Sequence, residues 1–231
     1  MASIVWGRHP QEAYDNPYEY EAQDQFVREA SELLLQLQVA LDHFTMEYHK
    51  DNLSLEKATW MLAVDLNDAL LESIQLLEEN RHRIAFRLFR DAVETIDLLQ
   101  VLHSKTPRAQ TALKLWYENE TIPHKESRMH IEEHEGKDAA VKRKEYYAQL
   151  SKFSHRTYRA HDSRSMRMLV LPQTIAFGLA VLADLIIQAT ECLKQCGALT
   201  PEEVANAWLV AIELHVVPRR FAPTRTLSSY K

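Results

Sequence analysis

The sequence predicts an all-α fold, a single-domain helical bundle of about seven helices with long antiparallel helices and irregular terminal arms. Two observations predict it. The 231 residues include only 4 Gly and 8 Pro, which in a helix interior cost about 1 and about 3 kcal/mol relative to Ala. Apolar residues recur at steps of three and four, the period of one buried helical face, and no alternating Val, Ile and Thr pattern indicates a sheet.

We expect an N-terminal arm at residues 1–17, a helical bundle domain at 18–217 and a basic C-terminal tail at 218–231. The predicted helices run, in approximate bounds, over 18–49, 54–80, 82–104, 107–119, 137–155, 171–195 and 201–216.

The first two helices each carry one apolar stripe, and the Asp51-Asn52 pair separates them. Ser54 or Asn52 is the expected cap of the second helix, because both side chains accept hydrogen bonds from free amide groups. The third helix turns Phe86 and Phe89 inward.

The fourth helix begins where Thr106 can cap it and Pro107, at the first helical position, loses no needed hydrogen bond. Residues 120–136 contain Pro123 and Gly136 among many charged side chains, so we predict a loop or a short lid.

The helix over 171–195 is apolar on all sides, which is typical of the central helix of a bundle. Its length approaches that of a membrane span, but Asp184 lies inside it and a charge there is costly in a bilayer. Gly197 should end it in a left-handed conformation. Thr200 and Glu203 then form a capping box for the last helix.

The two cysteines, Cys192 and Cys196, are four residues apart on this helix. They are too few for a disulfide framework or a four-cysteine zinc site, and we interpret them as small buried apolar groups or, alternatively, as a thiol switch. Charge interrupts the N-terminal residues too early for a secretory signal, so we predict a cytoplasmic protein without a membrane span.

Charge is segregated along the chain. Residues 11–80 contain 16 Asp and Glu against 3 Lys and Arg, whereas residues 137–167 contain 9 Lys and Arg against 3 Asp and Glu. The net charge of −6 conceals this division. Segregated charge steers partners, so we expect RNA or another anionic ligand at the basic region.

The third helix adds Arg87, Arg90, Asp91 and Glu94 on neighbouring turns. One interpretation is a solvated stripe of ion pairs, which contribute little to stability. The other is a phosphate site shared with the histidines at 155–161, because guanidinium groups bind phosphate through two hydrogen bonds and histidine exchanges protons near neutral pH.

The runs at 87–94 (RLFRDAVE) and 146–155 (YYAQLSKFSH) resemble uncharacterised bacterial helical proteins, which in turn look like the HEPN (higher-eukaryote and prokaryote nucleotide-binding) superfamily. The resemblance covers roughly residues 60–195. It implies a helical bundle that binds or cleaves RNA, including toxins and anti-phage defence components. Where such proteins are enzymes, they are metal-independent endoribonucleases, usually completed by a dimer.

The HEPN signature is an arginine followed, after four to six residues, by a histidine. For His155, the position five residues earlier is Leu150, whereas Arg156 and His161 have the required spacing. The resemblance therefore implies a catalytic set of Arg156, His161 and His155. The phosphate-binding set we expect is Arg87, Arg90, Glu94, Tyr158, Arg159 and Lys152.

No cofactor is expected. His130 and His134 would share a divalent metal only if their segment were helical, and a charged surface loop is the alternative. Two functions stay open: an RNA-binding or RNA-cleaving HEPN-like protein, and a non-enzymatic interaction module whose acidic and basic faces dock across a homodimer or onto a partner.

Overall fold

The computed structural model confirms the all-α class. It describes residues 30–31, 34–35, 37–42, 44, 49–79, 81–155, 172–200 and 202–203. The predicted arms and most of the first and last predicted helices lie outside these residues. Within them there is no β-strand. Helical residues at 30–31, 34–35 and 37–42 precede the helices α1 (Leu55–Glu78), α2 (His82–Leu102), α3 (Pro107–Tyr117), α4 (His124–Glu135), α5 (Lys137–Ser154) and α6 (Pro172–Gln195).

Side chains fix the start of α1. The Ser54 hydroxyl accepts a hydrogen bond from the Lys57 amide at 3.2 Å, and Asn52 Oδ1 accepts one from the Ser54 amide at 3.0 Å. Ser54 is therefore the cap, and Asn52 holds the turn before it. The buried Lys57 ammonium donates to the carbonyl oxygens of His49 and Lys50 at 2.8 and 3.0 Å, which offsets the cost of burying its charge.

Helix α2 is the centre of the bundle and packs against each of α1, α3, α4, α5 and α6. Its Phe86 and Phe89 are fully buried and meet edge to face, with ring centroids 5.8 Å apart. Each such burial stabilises the fold by roughly 2 kcal/mol. The predicted inward positions of the third helix are thus confirmed.

Helix α6 packs against α1 and α2. A Cβ at Gly178 would lie 2.9 Å from Leu77 Cδ2, so only glycine allows this close approach without a shift of the leucine. From Val181 onward, α6 buries most of its apolar side chains. Among the described helices, none has both the length and the apolar character that crossing a bilayer requires.

A buried ion pair fixes α5 against α2. Arg143 Nε lies 3.0 Å from Asp97 Oδ1, and the two side chains are only 14% and 5% exposed. Arg143 also donates a hydrogen bond to Gln188 on α6, whose amide donates to Asp184 at 2.7 Å. Removing one partner of such a pair leaves an uncompensated buried charge, which costs about 3–5 kcal/mol. Polar contacts therefore set how α5 lies on α2 and α6.

The prediction of a loop over 120–136 is wrong for most of its length, because His124–Glu135 is helix α4. Gly136, at φ 93°, separates α4 from α5. Arg108 of α3 contacts Glu133 of α4 at 2.8 Å. This tertiary ion pair, with the packing of α4 on α2 and α5, supports a helix whose local sequence is too polar to indicate one.

Two predicted helix ends are confirmed. Gly197 adopts φ 72° after α6. The Thr200 amide donates to Glu203 at 2.6 Å while the Glu203 amide donates to the Thr200 hydroxyl at 3.2 Å, which is a complete capping box. Thr106 differs: its side chain makes no cap hydrogen bond and meets the Ser104 hydroxyl at 2.9 Å instead.

The first residue of α2, His82, is a buried imidazole whose two ring nitrogens have no hydrogen-bond partner among the described residues. Burial lowers the pKa of His82 from 6.5 to about 4. The unfolded chain therefore binds this proton at a higher pH than the folded protein does. It follows that the free energy of unfolding decreases as pH falls through the interval between the two values.

We predict that His82→Leu removes this pH dependence. Between pH 6.5 and about 4, the wild type should lose about 3 kcal/mol more stability than the variant. Urea unfolding of both proteins at several pH values measures this difference. Parallel stability curves for the two proteins over that interval would contradict the assignment.

Candidate functional site

The predicted arginine stripe of α2 is joined to α5 by a three-residue network. Arg90 Nε donates to Glu94 Oε1 at 2.9 Å and to the Tyr147 hydroxyl at 2.8 Å, and Tyr147 donates to Glu94 at 2.6 Å. Burial, and then the hydrogen bond to Glu94, raise the pKa of Tyr147, so the hydroxyl keeps its proton. Arg90 and Glu94 thus neutralise one another, and Arg90 has to exchange these contacts to bind a phosphate.

Asp91 occupies the neighbouring exposed position on α2. Partial burial raises the pKa of Asp91, and repulsion from Glu94 and from Asp65 of α1 raises it further. The positive charges of Arg90 and Arg87 lower this pKa and so act against the rise. Arg87 itself is exposed at the solvent side of this group. Of the two predicted arginines, Arg87 is therefore the one that faces water.

Helices α2 and α5 run antiparallel. Arg90 contacts Tyr147, whereas Asp97, later in α2, contacts Arg143, earlier in α5. The C-terminal end of α5 therefore lies toward the start of α2. That arrangement brings the part of α5 that carries Lys152 and His155 to the end of α2 that carries Arg87.

The solvent side of α5 forms a basic stripe. Its members recur at steps of three and four, fall within about 80° of one another at 100° per residue, and are all exposed: Lys137, Val141, Lys144, Ala148, Lys152 and His155. Only small or apolar side chains separate the three lysines. The next row of the helix, Asp138, Lys142 and Glu145, carries both signs of charge. Three of the lysines of α5 thus lie in one line.

Helix α1 and its C-cap carry the counterpart, an acidic stripe whose members also recur at steps of three and four and are all exposed: Met61, Asp65, Asp68, Glu72, Gln75 and Glu79. The acidic and basic residues that the sequence segregates along the chain therefore lie on two different helix faces, one on α1 and one on α5. Like charges lie along each stripe, and opposite charges attract partners to different parts of the surface.

The predicted catalytic pair Arg156 and His161 lies outside the described residues, as do Tyr158 and Arg159. His155 is described: it is the exposed C-cap of α5, and its amide bonds to the Ser151 carbonyl at 3.0 Å. Among the described members of the predicted set, Arg87, Lys152 and His155 are exposed, whereas Arg90 and Glu94 are half-buried in the Tyr147 network.

His130 and His134 lie on the helix α4, so the helical segment that a metal site would require is present. The His130 and His134 ring centroids are 4.4 Å apart, and burial, followed by His134, lowers the pKa of His130. Glu133, however, is engaged by Arg108 at 2.8 Å. In the described part of the chain, no three His, Cys, Asp or Glu side chains come close enough together to hold a metal ion.

Three residues of this region are new relative to the predicted set: Lys137, Lys144 and Tyr147. The lysine positions are readable from sequence, because steps of seven and eight residues return to the same helix face. Tyr147 is not, since its partner Arg90 is 57 residues away.

No protein-family model, curated protein or solved structure matches this chain.

Proposed function

We propose that this protein binds RNA along the basic stripe of α5, with Arg87 and the run after His155 extending the contact. The observation that supports the proposal is the line of exposed Lys137, Lys144, Lys152 and His155 on a helix whose opposite side is fixed to the bundle. Phosphate contacts from lysine and arginine supply most of the affinity of non-specific nucleic-acid binding.

Three features favour RNA over other anions. The stripe extends over 18 residue steps, about 27 Å of helix, a length that suits a polymer better than a small anion. The lysines present point charges, which follow a flexible backbone without reading bases. The resemblance of the α2 and α5 runs to HEPN proteins also favours RNA.

Cleavage is the enzymatic form of this proposal. His161 would take the proton of a ribose 2′-hydroxyl while Arg156 offsets the charge that builds up on the attacked phosphate. Tyr158 would stack on an unpaired base, which favours single-stranded RNA. The adjacent 2′-oxygen forms the new bond to phosphorus, the bond from phosphorus to the 5′-oxygen breaks, and that oxygen leaves as a hydroxyl with a proton from water. The reaction needs no metal ion.

A second candidate function is a non-enzymatic interaction module that forms homodimers. The acidic stripe of α1 favours it, because that stripe also follows one exposed helix face at steps of three and four and is opposite in charge. In a two-fold symmetric dimer, each acidic stripe would face the basic stripe of the other copy.

We predict that Lys144→Glu combined with Lys152→Glu weakens single-stranded RNA binding at least tenfold, because two phosphate contacts become repulsive. The slope of log K against log salt concentration should become shallower by about 0.7 for each lysine. Fluorescence anisotropy with labelled RNA at several salt concentrations measures both quantities. The control is Lys114→Glu on α3. It makes the same change of charge at one lysine outside the stripe and should retain wild-type binding.

Unchanged affinity in the double variant would contradict RNA binding at the stripe. A protein that binds no RNA but sediments as a dimer at low salt, and as a monomer after Lys144→Glu, would support the second candidate instead.

We further predict that the wild type cleaves labelled RNA in the presence of a chelator and that His161→Ala abolishes cleavage without moving the thermal midpoint by more than about 4 °C. The control is His134→Ala on α4, an exposed histidine outside the stripe and outside the predicted catalytic set, which should stay active. Full activity in His161→Ala would rule out this catalytic assignment.

A further inference from the structure

Two free thiols meet at the C-terminal end of α6, on residues that RNA binding does not use. Cys192 is buried, and Cys196, just after the last helical residue, is partly exposed; their sulfur atoms are 4.0 Å apart. The chain reverses at Gly197. The Cys196 amide donates to the Cys192 carbonyl at 2.9 Å, so the two side chains lie one helical turn apart on the same side of α6.

The imidazole of His103 supplies a base beside Cys196. Its Nε2 lies 2.6 Å from the Thr59 hydroxyl oxygen, and that hydroxyl donates its own hydrogen to the Leu55 carbonyl at 2.8 Å. Since a hydroxyl has one hydrogen, Thr59 accepts from the ring and Nε2 carries the ring proton. The other nitrogen, Nδ1, is then unprotonated and able to accept a proton.

The two thiols differ in the role that each can take. The hydrogen bond from Cys192, and then His103, lower the pKa of the Cys196 thiol from 9.0 to about 6. The hydrogen bond with Cys196, and then burial, raise the pKa of Cys192. Cys196 is thus the nucleophile at neutral pH. Cys192 stays protonated, and because it is buried it can react only with a group already attached to the Cys196 sulfur.

We propose that Cys196 and Cys192 form a peroxide-reactive dithiol with His103 as its base. His103 takes the Cys196 proton, and the thiolate attacks one oxygen of a hydroperoxide. An S–O bond forms, the O–O bond breaks, and the departing oxygen takes the proton from His103. The sulfur is oxidised by two electrons to a sulfenic acid, and the peroxide is reduced to an alcohol, or to water from hydrogen peroxide.

The second step joins the two sulfurs. Cys192 attacks the Cys196 sulfur, the S–S bond forms and the S–O bond breaks, and the hydroxide leaves with the Cys192 proton as water. The disulfide would pull on the turn through Ala198 and Leu199, which are buried in the core. Oxidation therefore changes the backbone path of the turn that follows α6.

The test treats the reduced, full-length protein with hydrogen peroxide and counts free thiols by alkylation and mass spectrometry. We expect both thiols to be lost together within one chain and to be restored by dithiothreitol. In Cys192→Ser, dimedone should trap a sulfenic acid on Cys196, whereas Cys196→Ser should give no dimedone adduct. Two free thiols after peroxide, or over-oxidised Cys196 beside free Cys192, would overturn the proposal.

The role of His103 has a separate readout that does not require a cysteine variant. The rate of Cys196 alkylation by iodoacetamide should rise with pH around a midpoint near 6 in the wild type. In His103→Gln the midpoint should move upward, but not all the way to 9.0, because the hydrogen bond from Cys192 remains. At pH 7 the rate should fall by less than the loss of thiolate alone would give, because a more basic thiolate is also a better nucleophile. His134→Gln, the same substitution on α4, should keep the wild-type midpoint. A wild-type midpoint near 9.0, or no shift in His103→Gln, would overturn the role of the imidazole.

Discussion

The buried ion pair between Arg143 and Asp97 determines which side of α5 faces water. Arg143 lies about 140° around the helix from the middle of the basic stripe, at 100° per residue, so fixing Arg143 inside the bundle turns the stripe outward. Tyr147, one turn further on, reaches Arg90 and Glu94 on the same buried side. The surface that we propose for RNA is therefore a consequence of a polar contact within the core.

This arrangement separates charges that stabilise the protein from charges available to a partner. Arg143 and Arg90 are engaged by carboxylates at 3.0 and 2.9 Å and hold helices together. The stripe lysines and Arg87 are exposed to solvent, and exposed charges contribute little to folding stability. Evenly spaced like charges on an exposed helix face oppose one another, and an anionic partner removes that repulsion.

The helices were largely predictable because their apolar residues keep the helical period, as in Phe86 and Phe89 of α2, and because Ser54, Gly197 and Thr200 are strong local signals. Helix α4 was not, since its sequence is polar and its support comes from Arg108, far along the chain. The same limit applies to the site. Charge segregation pointed to α5. The two key pairings, however, join residues that are far apart in the chain: Arg90 and Tyr147 are 57 positions apart, and Thr59 and His103, beside Cys196, are 44 apart. Hydrophobic periodicity does not reveal such contacts.

The most direct measurement of the central claim is a lysine footprint of the RNA-bound protein. Acetylation of lysines by a soluble reagent, with and without RNA, is quantified for each residue by mass spectrometry. The account predicts that Lys137, Lys144 and Lys152 become protected while Lys50 and Lys114 react as before. Equal reactivity of the stripe lysines in both states, or protection spread evenly over all lysines, would contradict it.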